Sequence, residues 1–456
     1  MAFSVVVLAA GKGTRMKSAL PKVLHPVGGE PIVQRIINTV ESLDTQAVHL
    51  IYGHGGDQLK AGLYGNTINW CLQAEQLGTG HAVMQAAEHI NDNEDVMILV
   101  GDAPLIKAAT LQRLIETKAT CDLALLTVNL DDPSGMGRII RQDNKIVAIV
   151  EHKDATEAQK TIREINTGMM MMAGRDLKRW LNALTNHNAQ GEYYLTDVIA
   201  MAAAEGKNIQ AAQPELPVEV EGVNNRVQLA RLERTLQRWQ AEELMMAGVT
   251  LADPQRIDIR GSLTTGEDVF IDVNTVVQGK VTLGNNVRIG PNCILIDCDI
   301  ADHAVIEANS IVEQASVGPH CSVGPFARLR PGTVLETKAK VGNFVEVKKA
   351  RLGEGAKANH LTYLGDADIG AHSNIGAGTI TCNYDGVNKS KTRIGENAFI
   401  GSNSALVAPV EIGAGATVAA GSIITAKVPD DALAVARSKQ RNIAGWQRPD
   451  KKPSGQ

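Results

Sequence analysis

From Val317 onward the chain repeats itself every six residues. Val317, Val323, Leu329, Leu335, Val341 and Val347 stand one hexad apart, and Cys321, Ala327, Thr333, Ala339 and Val345 follow the first five at a distance of four. The frame returns at Ile394, Ile400, Leu406, Ile412 and Val418, with Ala398, Ser404, Val410, Ala416 and Ser422 in the second position. This period fits neither a helix of about 3.6 residues per turn nor a simple hairpin. It fits a parallel β-helix of short strands and tight turns, each face of a triangular coil one hexad long. The apolar residue then points into a narrow interior, and the second position has to be small or β-branched. Such an interior has little room for rings, and the chain holds 5 Phe, 6 Tyr and 4 Trp against 43 Gly. The period breaks at Thr381–Thr392 (TCNYDGVNKSKT), a polar segment expected to leave the coil as a loop.

The first half is written differently. From Phe3 to about Asn225, short apolar runs (Ser4–Ala10, Val48–Tyr52, Val96–Val100, Leu123–Val128) alternate with helical patterns such as Ile32–Ser42 and Gly80–Ile90. Strands buried on both faces and joined by helices predict a mostly parallel sheet. Leu229, Leu232, Leu236, Trp239 and Leu244 then recur at helical spacing, which predicts one long helix between the halves. The expected organisation is an α/β domain over 1–226, a linker helix over 227–247, and the β-helix over 248–456 with a C-terminal tail. With 45 basic and 50 acidic side chains the formal charge is −5, which argues against general nucleic-acid binding. No apolar run is long enough to span a membrane. The start of the chain reads as a strand rather than a signal peptide. Six scattered cysteines without a CxxC pair suggest reduced, structural thiols and a cytoplasmic chain.

Leu8–Arg15 reads LAAGKGTR and is followed by Pro21-Lys22. A glycine-rich turn after a buried strand offers backbone N–H groups to an anion, and Lys12, Arg15 and Lys22 can neutralise a triphosphate. The spacing is neither GxGxxG nor GxxxxGK[ST], which disfavours a dehydrogenase or a P-loop ATPase. Val100-Gly101-Asp102 closes another strand, where ligands bind in open α/β sheets, and its hard carboxylate suits Mg²⁺. A turn or helix-cap role is the alternative for Asp102. In the repeats, Arg330 and Lys348 lie 18 residues, or one coil, apart. They should stack as a cationic pair for a phosphate, unless they are two solvated surface charges.

Leu8 to Lys22 resembles the LxxGxGxRxxxxxPK signature of sugar-nucleotide pyrophosphorylases, and Gln73-Ala74 and Gln76–Gly80 resemble their base- and ribose-recognition segment. Gly135–Arg138, Glu151–Lys153, Glu164–Gly168 and Glu221–Asn225 extend the likeness. With the hexads attached behind, the chain from about residue 4 to 440 resembles the bacterial bifunctional GlmU family. The resemblance implies a Rossmann-like α/β nucleotidyltransferase domain, a linker helix and a left-handed parallel β-helix. It implies two activities, glucosamine-1-phosphate acetylation and N-acetylglucosamine-1-phosphate uridylylation, in the supply of UDP-N-acetylglucosamine for peptidoglycan and lipopolysaccharide. It implies UTP and acetyl-CoA as co-substrates, Mg²⁺ as cofactor, and a homotrimer.

The site residues it implies fall in two groups. For the uridylyl site, Leu8, Ala9, Ala10, Gly11 and Lys22 contact the nucleotide and its phosphates, and Gln73, Gly78 and Thr79 hold uracil and ribose. Val100 and Gly101 lie beside the nucleotide, Asp102 and Asn224 ligate Mg²⁺, Gly137, Glu151 and Asn166 bind the sugar, and Arg15 stabilises the transition state. For the acetyl site, His360 is the general base, a task that imidazole suits. Arg330, Lys348, Tyr363 and Asn374 bind the sugar phosphate, while Ala377, Asn383, Tyr384, Ser402, Ala420 and Arg437 line the acetyl-CoA site. Direct transfer leaves Cys382 without a nucleophilic role. Met136, where relatives often carry Tyr, and the Met169–Met172 run depart from the pattern. Two other readings stay open on the residues alone: a nucleotidyltransferase whose β-helix is purely structural or regulatory, and a non-catalytic scaffold.

Overall fold

The computed structural model describes residues 3–53, 55–65 and 68–449. The chain divides into two compact units, Met1–Gln240 and Ala241–Gln456.

The first unit is built on a sheet in the order Ile209–Ala212, Leu123–Asn129, Glu164–Ala173, Asp95–Val100, Phe3–Leu8, Ala47–Tyr52, Ile68–Leu72. All neighbours run parallel except Glu164–Ala173, which is antiparallel to both strands beside it. Val5, Val6 and Val7 are all fully buried. This is the mark of a strand covered on both faces, and it explains the unbroken apolar run. The strand stops at Leu8 rather than Ala10, so Ala9 and Ala10 open the glycine-rich turn. The expected helix over Gly80–Ile90 is shorter: a helix spans Thr79–Met84, and a separate 3-10 turn follows at Ala87–His89. Met169–Met172 are fully buried in the antiparallel strand, where flexible thioethers fill core space. Leu232 and Leu236 of the helix Arg226–Met246 belong to this unit's core.

The second unit is the coil that the hexads require. Successive strands pair in parallel throughout, forming one sheet of 11 strands and one of 17. The register advances by one coil at each step, as in Arg288, Val305, Ser322, Lys340, Lys357 and Asn374. Every apolar hexad position named above, and every second position, is buried. The unit is a parallel β-helix of the left-handed hexapeptide type, and its interior is a single column of aliphatic and small side chains. From Asn374 to its partner Phe399 the coil takes 25 residues. The extra length is the insert, whose ends Thr381 and Thr392 remain buried in the coil. Among the described residues no helix is long and apolar enough to cross a membrane.

The narrow interior carries a prediction. Ala339 is fully buried at a second position. Ala339→Leu should destabilise the β-helix by about 1–3 kcal/mol through overpacking. The measurement is the denaturant midpoint, and an unchanged midpoint would show that the interior has slack.

Candidate active sites

In the first unit Leu8 and Val100 end side by side in register, so the turn after each strand emerges at one edge of the sheet. Gly101 N donates to Leu8 O at 2.9 Å. A side chain at Gly101 would meet that carbonyl at 2.7 Å, so the two turns touch only because this residue is glycine. A cleft of about 290 Å³ opens there, lined by Leu8, Ala9, Ala10, Gly11, Lys22, Gln73, Gly78, Thr79, Val100 and Asp102. Gln76, Glu192, Val23 and Ala82 complete its wall. Gln76 Nε2 donates to Ala10 O at 2.6 Å and holds the turn from the far side.

The buried Gln73 amide donates to Gly78 O at 3.1 Å and lies 3.2 Å from His81 Nδ1. Gly78 has φ 112°, and a Cβ there would sit 2.6 Å from Tyr193 O. Only glycine tolerates both the dihedral and the approach. Tyr193 is bonded on both sides of it, donating from N to Leu77 O and accepting from Gly80 N, each at 2.8 Å.

Charge is concentrated at the rim. Lys22 Nζ donates to Asp102 Oδ2 at 2.5 Å, and Arg15 Nη2 to Asn224 Oδ1 at 2.8 Å. Val223 N donates to Asp102 O at 2.9 Å, which brings the Asn224 segment against Asp102. Among the described residues no three His, Cys, Asp or Glu side chains gather as a metal cage. One carboxylate and one amide oxygen instead fit a cation that keeps most of its shell for water and phosphate, the habit of Mg²⁺.

Gly137, Glu151 and Asn166 form a second group. Asn166 N donates to Gly137 O at 2.9 Å, and Glu151 Oε1 accepts from Thr196 Oγ1 at 3.3 Å. The strand register shifts between Asn166 and Met170, and a Cβ on Gly168 in that bulge would meet Val100 at 2.9 Å. The bulge therefore brings the Asn166 segment beside the cleft. Burial, with Asp154 and Asp197 nearby, pushes the Glu151 carboxyl above the usual range. Met136 is exposed, and its carbonyl accepts from the buried Arg138 guanidinium. Glu192, Tyr193 and Thr196 were not singled out by the sequence reading. The available signal was the polar and aromatic run Glu192–Asp197 (EYYLTD).

In the second unit the register turns scattered residues into columns. Asn343 pairs with His360. Carrying the pairings Ala358–Ile375, Ile375–Ile400 and Ile400–Val418 two residues onward places His360, Ala377, Ser402 and Ala420 on one edge, a coil apart. Arg437 Nη1 donates to Ala420 O at 2.7 Å at the far end. His360 is exposed, and its Nδ1 lies 2.6 Å from Asn343 Oδ1. Just past the corner turned by Phe344 and Leu361 stand Lys348 and Tyr363, with Arg330 one coil before Lys348. Arg330 Nη1 bonds Glu346 Oε1 at 2.6 Å. Asn374 lies on the edge column's own face, in register with Lys357.

In the insert, Asn383 Nδ2 donates to Asp366 Oδ2 at 2.5 Å. That amide closes the loop, while Tyr384 remains 59% exposed. All six cysteines are free. Burial pushes the thiols of Cys293 and Cys321 up to about 11 and that of Cys298 to about 12.

An α/β sheet with a phosphate-binding turn at its carboxyl edge, joined to a hexapeptide coil, defines a nucleotidyltransferase coupled to an acyltransferase-type β-helix. The comparisons agree. Residues 5–194 match the MobA-like NTP transferase domain, 259–353 the GMPPB C-terminal domain, and 391–426 the hexapeptide repeat of succinyl-transferase. The bifunctional protein GlmU of Pseudoalteromonas atlantica is 66% identical over 451 residues, 99% of this chain and all of that protein. The chain belongs to the bifunctional GlmU family, and it is an enzyme with a nucleotidyltransferase half and a hexapeptide acyltransferase half. Two solved structures of UDP-glucose pyrophosphorylase, one complexed with UDP-glucose and one apo, are each 15% identical, with TM-scores of 0.43 and 0.42. They cover 52% and 53% of this chain and the whole of their own.

The raised Glu151 titration has a sign that can be tested. The folded protein favours the protonated carboxyl, so ionisation costs stability as pH rises past the ordinary carboxylate range toward the folded value. Glu151→Gln should therefore melt higher than the parent at pH 8, with the gap closing toward about pH 4. A gap of equal size at both pH values would refute the burial argument.

Proposed function

We propose that the two halves act in sequence on one sugar. In the β-helix, the amine of glucosamine 1-phosphate attacks the thioester carbonyl of acetyl-CoA. A C–N bond forms and the C–S bond breaks; His360 Nε2 takes the amine proton and returns it to the departing sulfur, so CoA leaves as the thiol. Arg330 and Lys348 hold the sugar phosphate, with Tyr363 and Asn374 at its flanks. Ala377, Ser402 and Ala420 line an edge along which an extended acyl carrier lies, and Arg437 meets a CoA phosphate at its end. Asn383 shapes the insert, and Tyr384 offers the exposed surface.

In the α/β unit, the phosphate oxygen of N-acetylglucosamine 1-phosphate attacks the α-phosphorus of UTP in line, and pyrophosphate leaves. Leu8 to Gly11 and Val100 frame the nucleotide, Gln73, Gly78 and Thr79 hold uracil and ribose, and Gly137, Glu151 and Asn166 hold the sugar. Lys22 and Arg15, now paired with Asp102 and Asn224, have triphosphate oxygens as their alternative partners. Their transfer to phosphate frees the two oxygen ligands. Asp102 and Asn224 would hold Mg²⁺, which would supply further neutralisation of phosphate charge. Positioning and cationic stabilisation then carry the rate without a protein nucleophile.

The observation that carries this reading is an exposed His360 heading the edge column, in the same chain as a cleft whose rim pairs two cations with two oxygen ligands. Two assays test it: pyrophosphate release from UTP with N-acetylglucosamine 1-phosphate, and thiol release from acetyl-CoA with glucosamine 1-phosphate. His360→Ala should cut only the second, by about 10²–10⁴-fold. Asp102→Ala should cut only the first, by at least about 100-fold. Loss of both in either folded variant would overturn the two-site assignment.

The reading includes a homotrimer, with a neighbour's chain completing the acetyl site, and a cytoplasmic location that keeps the thiols reduced. Beside His360, Phe326, Phe344 and Leu361 form an apolar ridge, 50%, 55% and 63% exposed. All three have positive φ, a strained choice for bulky residues. Phe344→Glu should shift the sedimentation coefficient toward monomer and remove acetyl transfer while sparing uridylyl transfer. Full acetyl transfer by a monomer would refute it.

A further inference from the structure

The Asn343–His360 contact does more than fill space. The two residues are paired across adjacent coils, and the coils are tightly drawn together there. A Cβ on Gly342 would collide with the Asn359 carbonyl, and Thr362 Oγ1 donates to His360 O at 2.7 Å. The backbone on both sides of the ring is therefore fixed. Asn343 turns its amide oxygen to the ring, 2.6 Å from Nδ1. An amide oxygen only accepts, so the neutral imidazole carries its proton on Nδ1 and its lone pair on Nε2.

We propose that Asn343 is a positioning residue for acetyl transfer, holding His360 in the Nδ1–H tautomer with Nε2 aimed at the substrate amine. This rests on the reading of His360 as the base. The charged groups on the packed strands are Lys340 and Lys357, with Asn374 neutral on the next coil; Glu346, Lys348 and Tyr363 lie past the corner. The ring's partner is a neutral acceptor. It fixes the tautomer without the extra stabilisation of imidazolium that a carboxylate partner gives.

The test uses the full-length enzyme and the pH profile of thiol release for His360→Ala, Asn343→Leu and Asn343→Asp. Asn343→Leu keeps the shape but removes the acceptor, and should lower kcat on the order of 10- to 100-fold with little change in KM. Asn343→Asp restores an acceptor, so it should recover most of kcat. It should also move the acidic limb of the profile upward by about one pH unit, because a carboxylate stabilises the protonated ring. Full kcat in Asn343→Leu, with none in His360→Ala, overturns the inference and leaves the base assignment standing. Activity in His360→Ala overturns both. If Asn343→Leu does not fold, the limb of Asn343→Asp decides alone, and an unmoved limb overturns the inference.

Discussion

Everything in the rear unit follows from coil-over-coil hydrogen bonding in strict register. Each coil bonds to the next through its backbone, so outside the insert a residue typically sits over the one 17 or 18 positions before it, as Lys340 sits over Ser322 and under Lys357. Inside, that stacking leaves a bore for one aliphatic and one small residue per hexad. Outside, it turns distance in sequence into neighbourhood in space. Arg351, Asp368, Arg393 and Glu411 form one outer column, with alternating signs. Arg351 bonds both Glu336 and Asp368 there. In a separate column Arg330 lies over Lys348, two charges of the same sign. Like charges in register oppose folding, and Glu346 relieves only one of the two. A phosphate dianion is the partner proposed for this pair.

The front unit reaches the same end by a different geometry. Its site is mostly backbone, gathered where parallel strands stop together. The pairing of Leu8 with Val100 makes the glycine turn and Asp102 neighbours, although 80 residues separate Lys22 from Asp102. Gly78 against Tyr193 and Gly101 against Leu8 then let two pairs of backbone segments approach closer than any side chain would allow. The cleft is thus preorganised by the sheet, and the charged side chains at its rim are what remains to move.

This division explains what was legible in the sequence. A six-residue period has one structural solution, so the β-helix and its buried positions could be read residue by residue. Strand ends carrying glycine and Asp102 were legible for the same reason, since a buried apolar run followed by glycine has few meanings. The helix expected over Gly80–Ile90 ended early because an apolar pattern does not record where a helix yields to a tighter turn. Glu192, Tyr193 and Thr196 were missed because the run Glu192–Asp197 matches no spacing rule, and Tyr193 meets Gly78 and Gly80 through its backbone. Asn383 was legible as a polar loop residue, but only the structure shows its amide bound to Asp366. Asn343 belongs to no motif in the sequence, and only the register places it against His360.

The buried thiols bear on how acyl transfer proceeds. Cys321 occupies a second hexad position, and its thiol donates to Glu336 O at 2.9 Å; that of Cys293 donates to Glu307 O at 3.2 Å. These side chains fill the slots that alanine and serine fill elsewhere in the bore, and burial holds them as thiols. A thiol that does not ionise is a poor nucleophile, and the rigid interior gives a substrate no path to it. The acyl group therefore has no protein carrier inside the coil. The proposed reading accordingly runs transfer directly between two ligands on the outer edge, with His360 as the base and Asn343 setting which of its nitrogens is free.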